Sequence, residues 1–205
     1  MTAATARFLL VDDFLPVADV TGLIAYSLEH SAAFEPAKIR YMGQRDVDYG
    51  SRQALKCTDG LGRFEAIFTQ ALAARQDDLM KQLRLPSFEV SRTEIELAAY
   101  GDGGFFVPHI DTATGEGRST RSDRMLTTVY YFHAAPKRFS GGELVIHSLR
   151  PGHPFDTIEP VHNRLVVFPS YIPHEVRPIS CADDGFSSRR FSINLWLHRD
   201  RPATG

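Results

Sequence analysis

Cysteine is scarce: Cys57 and Cys181 are the only two in 205 residues. They lie far apart and without metal-type spacing, which argues against a thiolate zinc site and leaves two reduced thiols, rather than a disulfide, as the expected state. Excess charge is also missing. Lys and Arg number 23 against 25 Asp and Glu, a formal charge of −2, too weak a field to make nucleic acid or an anionic membrane the default partner. No apolar run is long enough to span a bilayer, and the first eleven residues lack a basic segment followed by an apolar one. Neither an internal repeat nor a low-complexity tract is visible. The expectation is a soluble, cytoplasmic monomer or homodimer built as one domain over residues 1–205, with no nucleic acid or membrane partner.

What is present is 43% hydrophobic residues, enough for one sizeable core. Helical signals sit in the first half. Residues 19–30 follow Pro16, and 59–83 carry Leu61, Phe64, Ile67, Phe68, Ala71 and Leu72 at helical spacing. From Phe88 the character changes to short segments rich in β-branched and aromatic residues between Gly, Pro and Asp clusters. The strands expected are 89–100, 105–111, 125–133, 142–147, 164–168, 175–179 and 190–198. Seven or eight of them suggest a small barrel or two-sheet jelly roll: a helical N-terminal support over 1–87 packed on one face of a mainly β core over 88–198. The polar segment 112–124 reads as a loop over a pocket mouth.

In Phe105-Phe106-Val107-Pro108-His109-Ile110-Asp111, the strand period of two puts Phe105, Val107, His109 and Asp111 on one face. A second histidine, His174, opens another strand after Pro173. Two imidazoles and one carboxylate on one face of an octahedral ion leave positions open for an oxidant and a co-substrate, as non-haem Fe(II) oxygenases require; a structural zinc site would close its shell. In the last strand, Phe191, Ile193, Leu195 and Leu197 alternate with Arg190, Ser192, Asn194 and Trp196. An inward arginine needs a counter-charge, supplied either by a structural Asp or Glu or by a dicarboxylate ligand through a bidentate contact.

At this point the sequence resembles the 2-oxoglutarate and Fe(II)-dependent dioxygenases, within them the prolyl 4-hydroxylase-like group that includes the hypoxia-factor prolyl hydroxylases. The resemblance covers roughly residues 94–196. It is carried by Tyr100-Gly101-Asp102-Gly103-Gly104 leading into Pro108-His109-Ile110-Asp111, then Val129-Tyr130-Tyr131-Phe132, Ser140-Gly141-Gly142-Glu143-Leu144, Pro173-His174-Glu175-Val176-Arg177-Pro178 and Arg190 to Trp196, all in one order. It implies that His109, Asp111 and His174 are iron ligands and that Arg190 binds the far carboxylate of 2-oxoglutarate. Tyr131 is the phenol assisting it, and Tyr100, Leu144, Asn194 and Trp196 line the same pocket. The implied activity hydroxylates a substrate C–H bond while 2-oxoglutarate is converted to succinate and CO₂, with O₂ as oxidant and ascorbate as an auxiliary reductant. Phe105, Val107 and Trp196 are the residues expected to keep water out.

Two features depart from the family pattern. The stretch 180–188 lengthens the connection between His174 and Arg190, leaving Arg189 as a rival. Alternation and the family's Arg-to-Trp interval select Arg190, with Arg189 pointing toward the apolar side or sitting at the frayed strand end. Arginine there, where collagen-type relatives use lysine, places the chain nearer the hypoxia-factor type. The resemblance points first to a protein or peptide substrate carrying proline, while a small molecule stays open because loops 42–57 and 112–124 set specificity. Other classes to weigh are a cupin-type metal enzyme that does not use 2-oxoglutarate and a non-catalytic iron- or 2-oxoglutarate-binding protein. His30, His133, His147, His153, His162 and His198 read as solvated, and Arg118, Arg121 and Arg124 as a basic loop face.

Overall fold

The fold was read from a computed structural model, which describes residues 8–41, 44–113, 121–149 and 155–201. Its strands are β1 (Leu9–Val11), β2 (Phe34–Pro36), β3 (Ile39–Tyr41), β4 (Gln44–Asp46), β5 (Arg52–Gln53), β6 (Leu55–Cys57), β7 (Arg92–Tyr100), β8 (Phe105–His109), β9 (Ser122–Phe132), β10 (Phe139–Gly141), β11 (Leu144–Ile146), β12 (Asp156–Ile158), β13 (Arg164–Pro169), β14 (His174–Val176), β15 (Ile179–Cys181) and β16 (Arg190–Asp200). The helices are α1 (Val17–Glu29), α2 (Phe64–Ala73) and α3 (Gln76–Gln82). A seven-stranded sheet, in the order β1-β13-β9-β16-β7-β6-β2, faces a five-stranded one, β12-β11-β14-β8-β5. This is the two-sheet jelly roll expected from the strand pattern. No helix among the described residues is long and apolar enough to cross a membrane.

The alternation of β16 sets the layering. Phe191, Ile193, Leu195 and Leu197 pack in one apolar cluster with Val20, Leu23, Phe64, Phe68 and Leu72 of α1 and α2. Each such side chain contributes about 1.5–3 kcal/mol on burial. Opposite them, Arg190, Ser192, Asn194 and Trp196 face the space between the sheets, in rungs set by the register. Arg190 pairs with Tyr100; Ser192 with Ala98 and Tyr131; Asn194 with Glu96 and Val129; Trp196 with Glu94 and Thr127. The inner face thus runs from an arginine at one end to a tryptophan at the other.

Several elements differ from the sequence reading, each for a local reason. The 59–83 helix starts late and breaks. Gly60 and Gly62 adopt positive φ (69° and 51°), so the chain turns until Phe64, and α2 ends at Ala73 before α3 begins. The N-terminal part is not purely helical. β2 and β6 extend the larger sheet and β5 edges the smaller, but stretches of two or three residues carry no readable period. The expected strand 142–147 begins only at Leu144, because Gly141 and Gly142 both sit at φ 72°. A Cβ on Gly142 would lie 3.2 Å from the Arg190 side chain. The expected strand 175–179 divides at Arg177-Pro178: β14 joins the smaller sheet, while β15 pairs with β10.

The 180–188 connection is a strand end followed by a 3-10 turn over Phe186–Ser188. Asp183 organises it, accepting hydrogen bonds from Arg138, Ser188 and the Gly185 N–H. Arg189 immediately precedes β16 and lies over Phe186. Both cysteines are free. Most of the expected loop over the pocket mouth, residues 114–120, lies outside the described residues, as do Arg118 and His153.

Candidate active site

β8 pairs with β14 so that His109 stands opposite His174, while Val176 stands opposite Phe106. Between these pairs Glu175 alone faces Val107 and Pro108, a bulge that breaks the period of two. As a consequence Phe106, rather than Phe105 or Val107, joins His109 in the cavity, its ring stacked on the imidazole at 3.6 Å. The strand stops at His109. Asp111 is positioned just beyond it by its own N–H, which donates to the Ser170 carbonyl at 2.9 Å.

The donor atoms of His109, Asp111 and His174 all lie within 4.8 Å of one another. His109 Nε2 is 3.8 Å from Asp111 Oδ1, and His174 Nε2 is 3.5 Å from Oδ2. Each imidazole is oriented from behind: His109 Nδ1 donates to the Val107 carbonyl and His174 Nδ1 to the Ile172 carbonyl, both at 2.9 Å. A carbonyl only accepts, so these bonds fix the tautomer with Nε2 carrying its lone pair inward. Asp111 Oδ2 accepts from Thr127 Oγ1 at 2.8 Å, and Thr127 in turn contacts Ser170 Oγ at 2.9 Å. Burial and the neighbouring His174 push the His109 imidazole down to about 4. Burial would raise the Asp111 carboxyl, but His174, His109 and Arg124 outweigh it and hold it below its ordinary value. The result is two imidazole Nε2 atoms and one carboxylate aimed at a common point.

The cavity also takes in Tyr100, Leu144, Arg190, Asn194 and Trp196, all expected there, together with Arg52, Phe106, Thr127, Val129 and Val176. Arg190 is 1% exposed. Its guanidinium carbon lies 4.3 Å from the Tyr100 ring centroid and 5.0 Å from that of Tyr131. Tyr131 stands behind Arg190 rather than on the cavity wall, fully buried, and burial raises its phenol to about 12. Arg190 Nε and Nη1, the Tyr131 hydroxyl and Ser192 Oγ are all buried without a hydrogen-bond partner among the described residues. Native interiors pair most of their buried polar atoms, so four clustered around one buried guanidinium at the cavity mark a place for a polar ligand. A carboxylate answers the guanidinium and the two hydroxyls together.

Arg124 lies over the Trp196 ring at 4.0 Å. Its Nη2 is 2.8 Å from Glu94 Oε1, and its Nη1 is 3.7 Å from Asp111 Oδ1. His198 is not solvated: it is 4% exposed, with Nε2 3.4 Å from Glu94 Oε2. Burial would raise the Glu94 carboxyl, but the His198 bond and Arg124 hold it at about 2. A carboxylate depressed on folding stabilises fully above its unfolded value and loses that contribution as pH falls through the folded one. Glu94→Gln should therefore cost about 1 kcal/mol at pH 7, a modest figure because the group is partly exposed. The gap to wild type should close between about pH 4.5 and 2 in urea melts, and a gap unchanged with pH would contradict the assignment.

The residues missed in the sequence are Arg52, Phe106, Thr127 and Ser192. Ser192 carried a readable signal, being in phase with Arg190 and Asn194 on an alternating strand. Arg52 carried none.

Residues 95–198 match the profile of the 2OG-Fe(II) oxygenase superfamily. An uncharacterized PKHD-type hydroxylase of Synechocystis sp. is 33% identical over 141 residues, covering 65% of this chain and 45% of the relative. Egl nine homolog 1 of Homo sapiens is 32% identical over 132 residues, 61% of this chain and 28% of that protein. The matched parts thus span less than half the length of these curated relatives. Among solved structures, a Pseudomonas putida prolyl-4-hydroxylase aligns with TM-score 0.67 and 27% identity over 97% of this chain and 95% of that one. A Trichoplax adhaerens prolyl hydroxylase, in complex with a hypoxia inducible factor peptide fragment, shares the fold at TM-score 0.67 and 21% identity, over 94% and 84%. With the family profile matched across the strands that build the cavity, this chain belongs to the 2OG-Fe(II) oxygenase superfamily.

Proposed function

We propose that the chain is an Fe(II)- and 2-oxoglutarate-dependent hydroxylase, one oxygenase domain over residues 1–205, acting on a peptidyl proline. The observation that carries this reading is a buried arginine, Arg190, with unpaired Nε and Nη1 among the described residues, lining the same cavity as three convergent donor atoms. A cupin-type metal enzyme would use the three donors but leave that buried cation without a partner, and a binding protein would not need the open metal face.

In this reading His109, Asp111 and His174 hold the iron, and Arg190, backed by Tyr131, holds the far carboxylate of 2-oxoglutarate. Tyr100, Leu144 and Asn194 form the wall along which the co-substrate lies. When bound, Fe(II), 2-oxoglutarate and O₂ together supply the oxidant that converts a substrate C–H into C–OH, with release of succinate and CO₂. The protein's share is orientation. Backbone carbonyls fix both imidazoles, Thr127 fixes the carboxylate, and such supporting contacts tune ligand affinity. Phe106 and Trp196 screen the metal corner from water. A prolyl peptide as substrate rests on similarity to the Pseudomonas putida prolyl-4-hydroxylase; ascorbate as auxiliary reductant belongs to the same proposal.

The test is anaerobic addition of Fe(II) and 2-oxoglutarate to the whole chain, watching for a weak visible metal-to-ligand charge-transfer band. Oxygen and proline-containing peptides follow, with succinate and peptide mass as readouts. A band, and a peptide heavier by one oxygen atom, is the expected result. No band at saturating iron and co-substrate would sink the oxygenase reading, whereas a band with no modified peptide would remove only the prolyl substrate.

A further inference from the structure

Arg52 is the cavity residue that none of the motifs in the strand core explains. It lies on β5, opposite Phe106 on β8, and crosses to the larger sheet, where its Nη2 meets Glu96 Oε1 at 2.5 Å. It is 7% exposed. A link between sheets needs no more than that pair, and Glu96 has a second cation, Lys56 Nζ, at 3.6 Å. Yet Arg52 Nε is buried with no hydrogen-bond partner among the described residues, a state that costs free energy unless a ligand relieves it.

The surroundings say which ligand. The Arg52 guanidinium carbon is 5.1 Å from the Phe106 ring centroid, and the Phe106 ring stacks on His109. It is also 5.9 Å from the ring centroid of Tyr100, the ring that Arg190 approaches to 4.3 Å. The two arginines therefore share one wall. The register orders them along it. Tyr100 and Arg190 form one rung, Glu96 and Asn194 stand four residues further along, and the next inward rung, Trp196 with Thr127, holds Asp111 through the Thr127 hydroxyl. Arg52, tied to Glu96, thus lies between the anchor of the far carboxylate and the metal corner.

Resting on the function proposed above, we propose that Arg52 is a second co-substrate contact, donating from its guanidinium to the near, metal-side carboxylate of the 2-oxo acid. The pocket then grips a dicarboxylate at both ends, Arg190 at the far one and Arg52 at the near one. Glu96 keeps Arg52 in place and balances its charge, so the contact acts as an oriented donor rather than as surplus charge.

The experiment separates the two ends. Affinities of the Fe(II)-loaded full chain for 2-oxoglutarate and for pyruvate, which keeps only the near end, are measured anaerobically from the charge-transfer band and from quenching of Trp196, the single tryptophan. The variants are Arg52→Gln with Glu96→Gln, which strands no buried charge because the side chain of Lys56, the other partner of Glu96, is partly exposed, and Arg190→Met. The paired variant is expected to weaken both ligands by about tenfold to a hundredfold, the worth of one charge-assisted hydrogen bond. Arg190→Met is expected to weaken 2-oxoglutarate and leave pyruvate as it was. If the paired variant does not fold by circular dichroism, Arg52→Lys, which keeps the ion pair and lacks the Nε donor, should show the same joint loss. Unchanged affinity for both acids in a folded variant overturns the proposal, and a rise confined to the KM for a peptide would transfer Arg52 to the substrate. A wild type with no band at all would instead mark failure of the oxygenase reading itself.

Discussion

Arg190→Met raises the 2-oxoglutarate concentration needed to half-saturate the iron-loaded chain by about two to three orders of magnitude, the cost of truncating one member of a buried charge pair. The free protein should respond in the other direction. A structural arginine has a carboxylate partner, and its loss strands that partner at a cost of about 3–5 kcal/mol. Arg190 has unpaired Nε and Nη1 beside two unpaired hydroxyls, so an apolar side chain of similar length removes an uncompensated cation from the interior. Thermal unfolding without ligands should show the variant as stable as wild type or more so. Titration by the charge-transfer band gives the affinity and calorimetry the stability. A clear drop in melting temperature with unchanged co-substrate affinity would return Arg190 to a structural role.

The fold was legible where alternation was long. β16 spans eleven residues, and its two faces read directly as helix-packed and inward, which fixed the layering and the inward arginine at once. The helices were legible as amphipathic segments, but their ends were set by the positive-φ glycines at 60 and 62, whose turning a spacing argument passes over. The short strands were not legible. β5, two residues long, exists because the larger frame supplies β8 as a partner, and nothing within two residues announces that.

The site divides in the same way. His109, Asp111, His174 and Arg190 were found because motifs in one order named them, and the structure brings all four to one cavity. The bulge between β8 and β14 could not be read, because an extra residue in one strand shows only against its partner. It moved the aromatic wall from Phe105 and Val107 to Phe106. Arg52 needed tertiary contact with Glu96 to appear at all. His198 was read as solvated because a strand-end histidine usually is, whereas Glu94, Arg92 and Ser122 close around it.

The metal corner gives the other large effect, best argued as a graded pair. Three protein ligands share the free energy of holding the ion, so His174→Ala should remove roughly a third of it, about 3–4 kcal/mol or some 150- to 900-fold in Fe(II) affinity. Thr127→Val touches no metal. It deletes the hydroxyl that donates to Asp111 Oδ2 at 2.8 Å, and loss of such a supporting contact costs about 10- to 100-fold. Quenching of Trp196 in the same cavity reads both affinities. His174 is 4% exposed, so circular dichroism must show that the alanine variant still folds. The order wild type, Thr127→Val, His174→Ala follows if the carboxylate is a ligand held by its threonine and the imidazole a ligand in its own right. Equal iron affinity in all three folded proteins would mean that the convergence of these side chains is structural and that the ion binds elsewhere.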